Sequence, residues 1–594
     1  MSTQLEDYAL IGDGETAALV SRAGSIDWLC WPRFDSDACF AALLGRAENG
    51  RWLIGPAEPP AGRILGVKRR YQADTLIMET DLAMPGGAVR LIDFMPMRQG
   101  CSALVRVVVG LSGIIRLRMD LRLRFDYGRL PPWTDATVDG FVARIGPDVV
   151  TLHAPISIKM HADAVEAEFL VAEGQRLPFV LRYGSLTDPV PESLDAEAAL
   201  VGTQAYWRDW TGRFDDHRTR WPAAVRRSLI ILKAMTHQPT GGLIAAPTTS
   251  LPEAPGGTMN WDYRYCWLRD ATFTLGALIN AGYRDEAQRW RDWLLRAIAG
   301  SPGRMRIMYR VDGGRHLEEW SVDELPGYRH ARPVRIGNAA STQLQVDVWG
   351  EVLDALYLGE RAGLPGSQQL DLARIKLVEH LESVWNRPGA GIWESRASPR
   401  HYVYSKAMAW AGINCFLRSK VAIGADASLV RRLGVLREEI HEEVCREGWN
   451  EGLGTFTEYY GGQELDASTL LLPLIGFLPA NDPRMTSTIA MIERELTEGG
   501  LIRRTRASGT SPEGAFLACS CWMADCLNMQ GRSEAAVAQF ERVLAVRNDL
   551  GLLSEEYNVP GRHLAGNFPQ ALTHLGVVNS ALGLSGPVLQ RGGG

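Results

Sequence analysis

The sequence predicts a multidomain β + α protein: an N-terminal antiparallel β-sandwich followed by an (α/α)6 barrel. Three observations predict it. In the first two hundred residues, short runs alternate apolar and polar residues and are broken by Gly- and Pro-containing turns, the period-two pattern of half-buried strands. After Trp221 the period is helical, with amphipathic runs over 221–237, 270–282, 284–299, 341–362, 367–385, 404–422, 427–446, 467–477, 482–497, 513–530, 533–546 and 566–583, twelve in all. The joins between these runs alternate, short within a pair and long between pairs, as a closed ring of helical hairpins requires. An open solenoid is the alternative, and it would show a similar sequence in each repeat; none is found.

At 594 residues the chain exceeds what one core holds. The expected division is a β-sandwich over 1–192, a helical linker over 193–220 and the barrel over 221–594. The strand runs are Thr75–Met84, Ala88–Met95, Ala103–Val109, Ile115–Arg124, Ala167–Val171 and Phe179–Tyr183. Turns at Pro85–Gly87, Ser112–Gly113 and Gly174 separate them. Gly12 and Gly14 lack the third glycine and the strand–helix context of a nucleotide loop. Trp28, Trp31 and Phe34 beside Asp35 are expected to pack between domains, with a ligand-facing role as the alternative. Near Pro191 the period changes, and Leu194–Phe214 reads as a helix with Trp207 and Trp210 on one side.

Composition narrows the function. The chain is 46% apolar and 22% charged, with net charge −6 and no basic block, so nucleic acid and an anionic membrane surface are not expected partners. Met1–Asp7 has neither a charged n-region nor an apolar h-region, so no signal peptide is expected. The most apolar run, Leu470–Ala480, contains Pro473 and is too short to span a bilayer. Nine scattered cysteines suggest reduced thiols and a cytoplasmic protein. Cys519, Cys521 and Cys526 cluster on a helical run without histidines nearby and read as buried thiols, not metal ligands.

The chemistry concentrates in the long joins. Asn260–Asp270 packs Tyr263, Tyr265, Trp267, Arg269 and Asp270 ahead of the apolar run Ala271–Ile279. Aromatic faces and fixed carboxylate and guanidinium groups suit a sugar ring, stacking on its C–H face and pairing its hydroxyls. A helix cap at Asp270 beside core aromatics is the competing reading. All the long segments precede every second helix, so a closed ring brings them to one face, where function resides. Two carboxylates stand out there. Glu394 follows Trp393, and apolar surroundings would keep it protonated, as a general acid needs. Glu555 lies far away in sequence but on the same face. Glycoside hydrolysis with inversion uses such a pair, one acid protonating the leaving oxygen and one base activating water across a gap of roughly 6.5–9.5 Å. A surface loop acid and a salt bridge from Glu555 or Glu556 are the bland alternatives. Arg504 either binds sugar hydroxyls or pairs with Glu513 after Ser511-Pro512. His574 reads as a core histidine. No G-x-S-x-G, H-E-x-x-H or Walker motif competes.

These residues resemble glycoside hydrolase family 15, in its bacterial glucoamylase- and trehalase-like branch. The resemblance runs in order through Glu6–Gly12, Gly24–Ser36, Trp261–Asp270, Pro333–Asn338, Gly391–Arg396 with Ser405-Lys406, Leu465–Ser468, Glu513–Phe516, Leu553–Tyr557 and Gly566–Gln570. It implies the sandwich-plus-barrel fold and inversion at the anomeric carbon. By motif, Glu394 matches the general acid and Glu555 the general base. Trp267, Arg269 and Asp270 match the pocket around the non-reducing glucose, and Arg504 a further sugar-binding arginine. Thr505 stands where a tyrosine is common after that arginine, which makes Arg503 a rival to Arg504. Asn558 and Ala397 also depart from the usual residues.

The expected function is an exo-acting hydrolase that releases β-glucose from trehalose or short α-linked gluco-oligosaccharides, with Tyr263, Tyr265, Trp393 and Arg504 joining the substrate contacts. No cofactor and no metal are expected. The expected partner is a small carbohydrate, and the outer face of the sandwich is open to pairing with a second copy. A catalytically silent sugar-binding protein of the same fold, or a phosphorylase or lyase on the same barrel, are the alternatives.

Overall fold

The computed structural model describes residues 3–57, 64–187, 193–506, 513–589 and 591. The boundary expected at 192, with Pro191, and the turn residues Ser511 and Pro512 lie outside them.

Two antiparallel sheets form the N-terminal sandwich, and one strand serves both. Ser102–Arg122 is continuous over 21 residues. Its first half pairs with Gly87–Phe94 on one side and Arg176–Ser185 on the other. Its second half pairs with Arg51–Pro56 and Val165–Ala172. The sequence reading of two strands parted by a turn at Ser112–Gly113 is therefore corrected: Gly113 (φ +68°) lies opposite Gly87 (φ +141°), beside a register slip at Ala88/Val89. A Cβ on Gly87 would meet the Ser112 carbonyl oxygen at 2.0 Å, so glycine here allows a bulge, and the strand bends from one sheet into the other.

Helix α1 (Ala196–Thr211), capped by Asp195, joins the two domains. Its Trp210 stacks on Tyr283 at 4.3 Å and donates its indole N–H to Glu286 at 2.6 Å. Trp28 reaches from the sandwich to donate to the Pro247 carbonyl at 2.7 Å, the interdomain packing expected of it.

Each of the twelve helical runs carries a helix: α2 (Pro222–Ala234), α3 (Leu268–Asn280), α4 (Arg284–Ile298), α5 (Asp347–Arg361), α6 (Gln368–Val384), α7 (Val403–Arg418), α8 (Ala427–Glu447), α9 (Leu471–Leu474), α10 (Pro483–Glu495), α11 (Leu517–Met529), α12 (Ser533–Ala545) and α13 (Ala571–Gly583). Helices α3, α5, α7, α9, α11 and α13 touch in turn, and α13 returns to α3, so the ring closes as an (α/α)6 barrel. The inner helices are buried nearly all round, as Val403–Phe416 shows.

Several inner helices start later than their apolar periods. α5 follows a separate 3-10 turn, Ala339–Thr342. α11 starts after Ala515–Phe516, which pairs with Glu556–Asn558 as strand. α13 starts after Pro569. α9 is one turn long, reached through the 3-10 turn Ala467–Leu470. The apolar residues ahead of these helices are drawn into short strands at the barrel mouth. Cys266–Trp267 pairs with Met308–Tyr309, and Glu556–Asn558 also pairs with His563–Ala565. Among the described residues, no helix is long and apolar enough to cross a membrane.

Candidate active site

The segments ahead of the inner helices meet around a cavity of about 300 Å³. Tyr263, Arg269, Trp393, Glu394, Arg504 and Glu555 line it, with Glu253, Met259, Trp261, Asn338, Ala340, Ile392, Ser395, Arg396 and Phe516 completing the wall.

Glu394 sits on a tight turn in the left-handed region, φ +59°. Such a non-glycine residue persists only where its surroundings over-determine it. Its own N–H donates to Gly391, Ser395 donates to Ala390, and the Gln343 side-chain amide donates to the carbonyls of Glu394 and Ser395, at 3.1 Å each. Oε1 of Glu394 accepts from the Trp267 indole at 2.6 Å and lies 3.4 Å from Arg269. Arg269 is held by Asp270 at 2.7 Å and by the Ile392 carbonyl at 2.6 Å. Trp393 donates to Asp466 at 2.8 Å and stacks on Trp522. Burial pushes the Glu394 carboxyl above the usual carboxylate range, while Arg269 and Trp267 pull the other way.

Glu555 is set by the backbone of its neighbours. The buried imidazole of His574 accepts from the Leu553 N–H at 3.3 Å, and the N–H of Glu555 donates to the Asn567 carbonyl at 3.3 Å. Its Oε1 accepts from the Tyr263 hydroxyl at 2.7 Å and the Gln570 amide at 3.3 Å. Its Oε2 has no hydrogen-bond partner among the described residues. Gly566 makes room for that oxygen, since a Cβ there would meet Oε2 at 2.7 Å. Burial, then the charge of Glu253, pushes Glu555 up to about 8, against the pull of Arg504 and Tyr263.

Arg504 lies among three further carboxylates. Its Nη2 is 2.5 Å from both Glu253 and Glu513 and 3.4 Å from Glu556. These three are the group of carboxylates, among the described residues, close enough to share a cation: their oxygens lie within 4.8 Å of one another. The guanidinium of Arg504 supplies positive charge there. Burial raises both Glu253 and Glu556, so the group holds protons more tightly than isolated carboxylates do.

Two expected residues stand behind the wall: Trp267 and Asp270 touch the cavity through Glu394 and Arg269. Tyr265 is the departure. It lies outside the lining, and the charged groups around its hydroxyl are Asp262, Arg264, Arg310 and Asp35, toward the sandwich. The chain between Trp261 and Tyr265 is irregular, with strand beginning only at Cys266, so the side-to-side alternation of a strand does not carry Tyr265 to the side of Tyr263. Of the rival arginines, Arg504 lines the cavity, while Arg503 donates to Glu498 at 3.0 Å. Asp466 and Arg396 fall within the quoted motifs but have no role assigned in the sequence reading, and nothing in the local sequence of Glu253 marks a buried group.

A family model described as glycosyl hydrolases family 15 matches residues 222–582, and one described as trehalase-like, N-terminal matches residues 1–207. The chain is 32% identical over 597 residues to a trehalase of Thermoplasma volcanium, covering 99% of this chain and 94% of that one. It is 35% identical over 618 residues to a trehalase of Mycobacterium tuberculosis, covering 97% of this chain and 89% of that one. Among solved structures, a bacterial glucoamylase complexed with acarbose superposes with a TM-score of 0.76 at 14% identity, covering 99% of this chain and 95% of that one, which shows the shared fold.

Proposed function

The chain belongs to family 15 of the glycosyl hydrolases and is a glycoside hydrolase, and from that premise we propose that it cleaves α-glucosides from the non-reducing end with inversion, releasing β-glucose. Trehalose is the leading substrate and short α-linked gluco-oligosaccharides follow. The two trehalases, similar over nearly the whole chain, support that order. A cavity of about 300 Å³ is at the small end of the range for ligand sites, roughly 300–1,000 Å³, and suits a short ligand better than a polymer.

One observation carries the reading: two carboxylates from distant segments, the half-buried Glu394 and the buried Glu555, line the same cavity, each held by one oxygen. In this mechanism Glu394 gives its proton to the departing oxygen. Water attacks C1 from the other face and passes a proton to Glu555. Tyr263 and Gln570 both donate to Oε1 of Glu555, which favours the ionised form and leaves Oε2 for the water. The proton that burial favours in this region then sits on Glu556, while Glu253 stays paired with Arg504. Arg269, Trp393 and Arg504 bind the terminal sugar. The chain's own side chains suffice for each step. The reading includes a cytoplasmic setting, in which nine unpaired cysteines are at home.

Proton NMR of the purified protein with trehalose, maltose and isomaltose tests this. β-Glucose is expected first, from trehalose above the others. α-Glucose appearing first would rule out Glu555 as a general base.

A further inference from the structure

At its exposed end the cavity wall changes character. The inner wall is rich in buried carboxylates, but the outer wall is Trp261 with two arginines over its ring: Arg335 at 4.5 Å and Arg396 at 4.3 Å from the centroid. One carboxylate, Glu319, holds both. It accepts from Arg396 Nη1 at 3.0 Å and Nη2 at 2.6 Å, and lies 3.3 Å from Arg335 Nε. Glu319 and Arg335 are themselves fixed by the strand pair Trp320–Ser321 and Arg335–Ile336, and Glu319 also accepts from the Ala339 N–H at 3.0 Å.

The two arginines differ in what they have left to offer. Arg335 Nη1 donates to the carbonyls of Thr258 and Asn260, at 2.8 and 3.0 Å, so it is a strut within the wall. Arg396 gives one N–H from each Nη to Glu319, its Nε–H has no partner among the described residues, and its side chain, 38% exposed, is on the cavity lining. Trp261 holds the guanidinium flat, and the bidentate pair fixes its orientation, so little freedom remains to be lost when a ligand binds.

We propose that Arg396, held by Trp261 and Glu319, is the specificity-determining contact for the leaving group, and that it selects substrates whose second ring carries hydroxyls. This rests on the hydrolase reading above. The terminal glucose occupies the inner cavity against Glu394 and Glu555. The second ring lies at the arginine end, where a hydroxyl oxygen accepts from Arg396 Nε–H. An apolar leaving group displaces water from that donor and offers no acceptor in its place, so it gains nothing there.

The test compares two substrates. Trehalose has a hydroxylated second ring, and α-glucosyl fluoride has none. Arg396→Met is expected to lower the ratio of kcat/KM for trehalose to kcat/KM for the fluoride by about 10- to 100-fold, mainly through KM, as loss of a charged hydrogen bond implies. Glu319→Gln, which loosens Arg396 without removing it, is expected to lower the same ratio by less, and it decides the matter if Arg396→Met does not fold. A ratio within about threefold of the parent in the folded variants would overturn the inference. Wild-type protein that turns over neither substrate would instead sink the hydrolase reading itself.

Discussion

Glu394, half-buried, and Glu555, buried, are both raised by loss of solvent, yet their surroundings are opposite in sign. Glu394 has a cation beside it, Arg269 at 3.4 Å, on a strained turn pinned by its own backbone. Among the described residues Glu555 has no cation in hydrogen-bond contact, and its foremost charged neighbour is another carboxylate, Glu253. Taken alone, this contrast would put the resting proton on Glu555, the reverse of the roles proposed. Each carboxylate takes its donors on Oε1, Trp267 and Arg269 on Glu394 and Tyr263 and Gln570 on Glu555, so hydrogen bonding narrows that contrast without reversing it. Arg269 is committed to Asp270 and Ile392, so its hold on Glu394 is the long contact of the three. Glu555 takes two donors on one oxygen, and the acid group around Arg504 provides other places for a proton. The lesson is that burial raises both carboxyls, while the donors and charges around each set the balance between them.

The largest expected effect is at the base. Glu555→Gln removes the acceptor for the water's proton and should cost about 10³- to 10⁴-fold in kcat on trehalose, with KM little changed, in steady-state assays. Tyr263→Phe keeps the ring against Trp267 and deletes one donor to Glu555. It is expected to lower kcat by roughly 10- to 100-fold and to move the acid limb of the pH–rate profile to higher pH, because the ionised form of Glu555 loses a partner. A profile that does not move would remove Tyr263 from this role.

Glu253→Gln acts in the opposite direction. Glutamine there is in effect a permanently protonated Glu253, so Glu555 loses a negative neighbour and its proton is held less tightly. Activity that requires ionised Glu555 is lost as pH falls through that group's value. The acid limb should therefore move to lower pH, with a smaller change at the optimum. A shift to higher pH would show that Glu253 carries the proton for Glu555 in a way its charge does not describe.

Much of the fold was legible because periodicity is local. Every helical run holds a helix, and the alternation of short and long joins anticipated the ring. What was not legible depended on partners far away in sequence. Ser112–Gly113 looks like a turn until Gly87 lies across from it. Residues ahead of α11 continue its apolar period but are taken by strand pairing with Glu556–Asn558. In the site, Glu394 and Glu555 could be singled out only by lying ahead of inner helices with aromatics beside them. Glu253 had no such mark, because its partner, Arg504, is 251 residues away. Tyr265 was grouped with Tyr263 by sequence proximity, and irregular backbone separates them.

The central claim is the division of labour between the two carboxylates, and α-glucosyl fluoride tests it directly. Fluoride leaves without protonation, so its hydrolysis needs the base and not the acid. Glu394→Gln is predicted to lose about 10²- to 10⁴-fold on trehalose but no more than about tenfold on the fluoride, while Glu555→Gln loses activity on both. The reverse outcome, with Glu555→Gln active on the fluoride and Glu394→Gln inactive on it, would contradict the assignment and exchange the two roles.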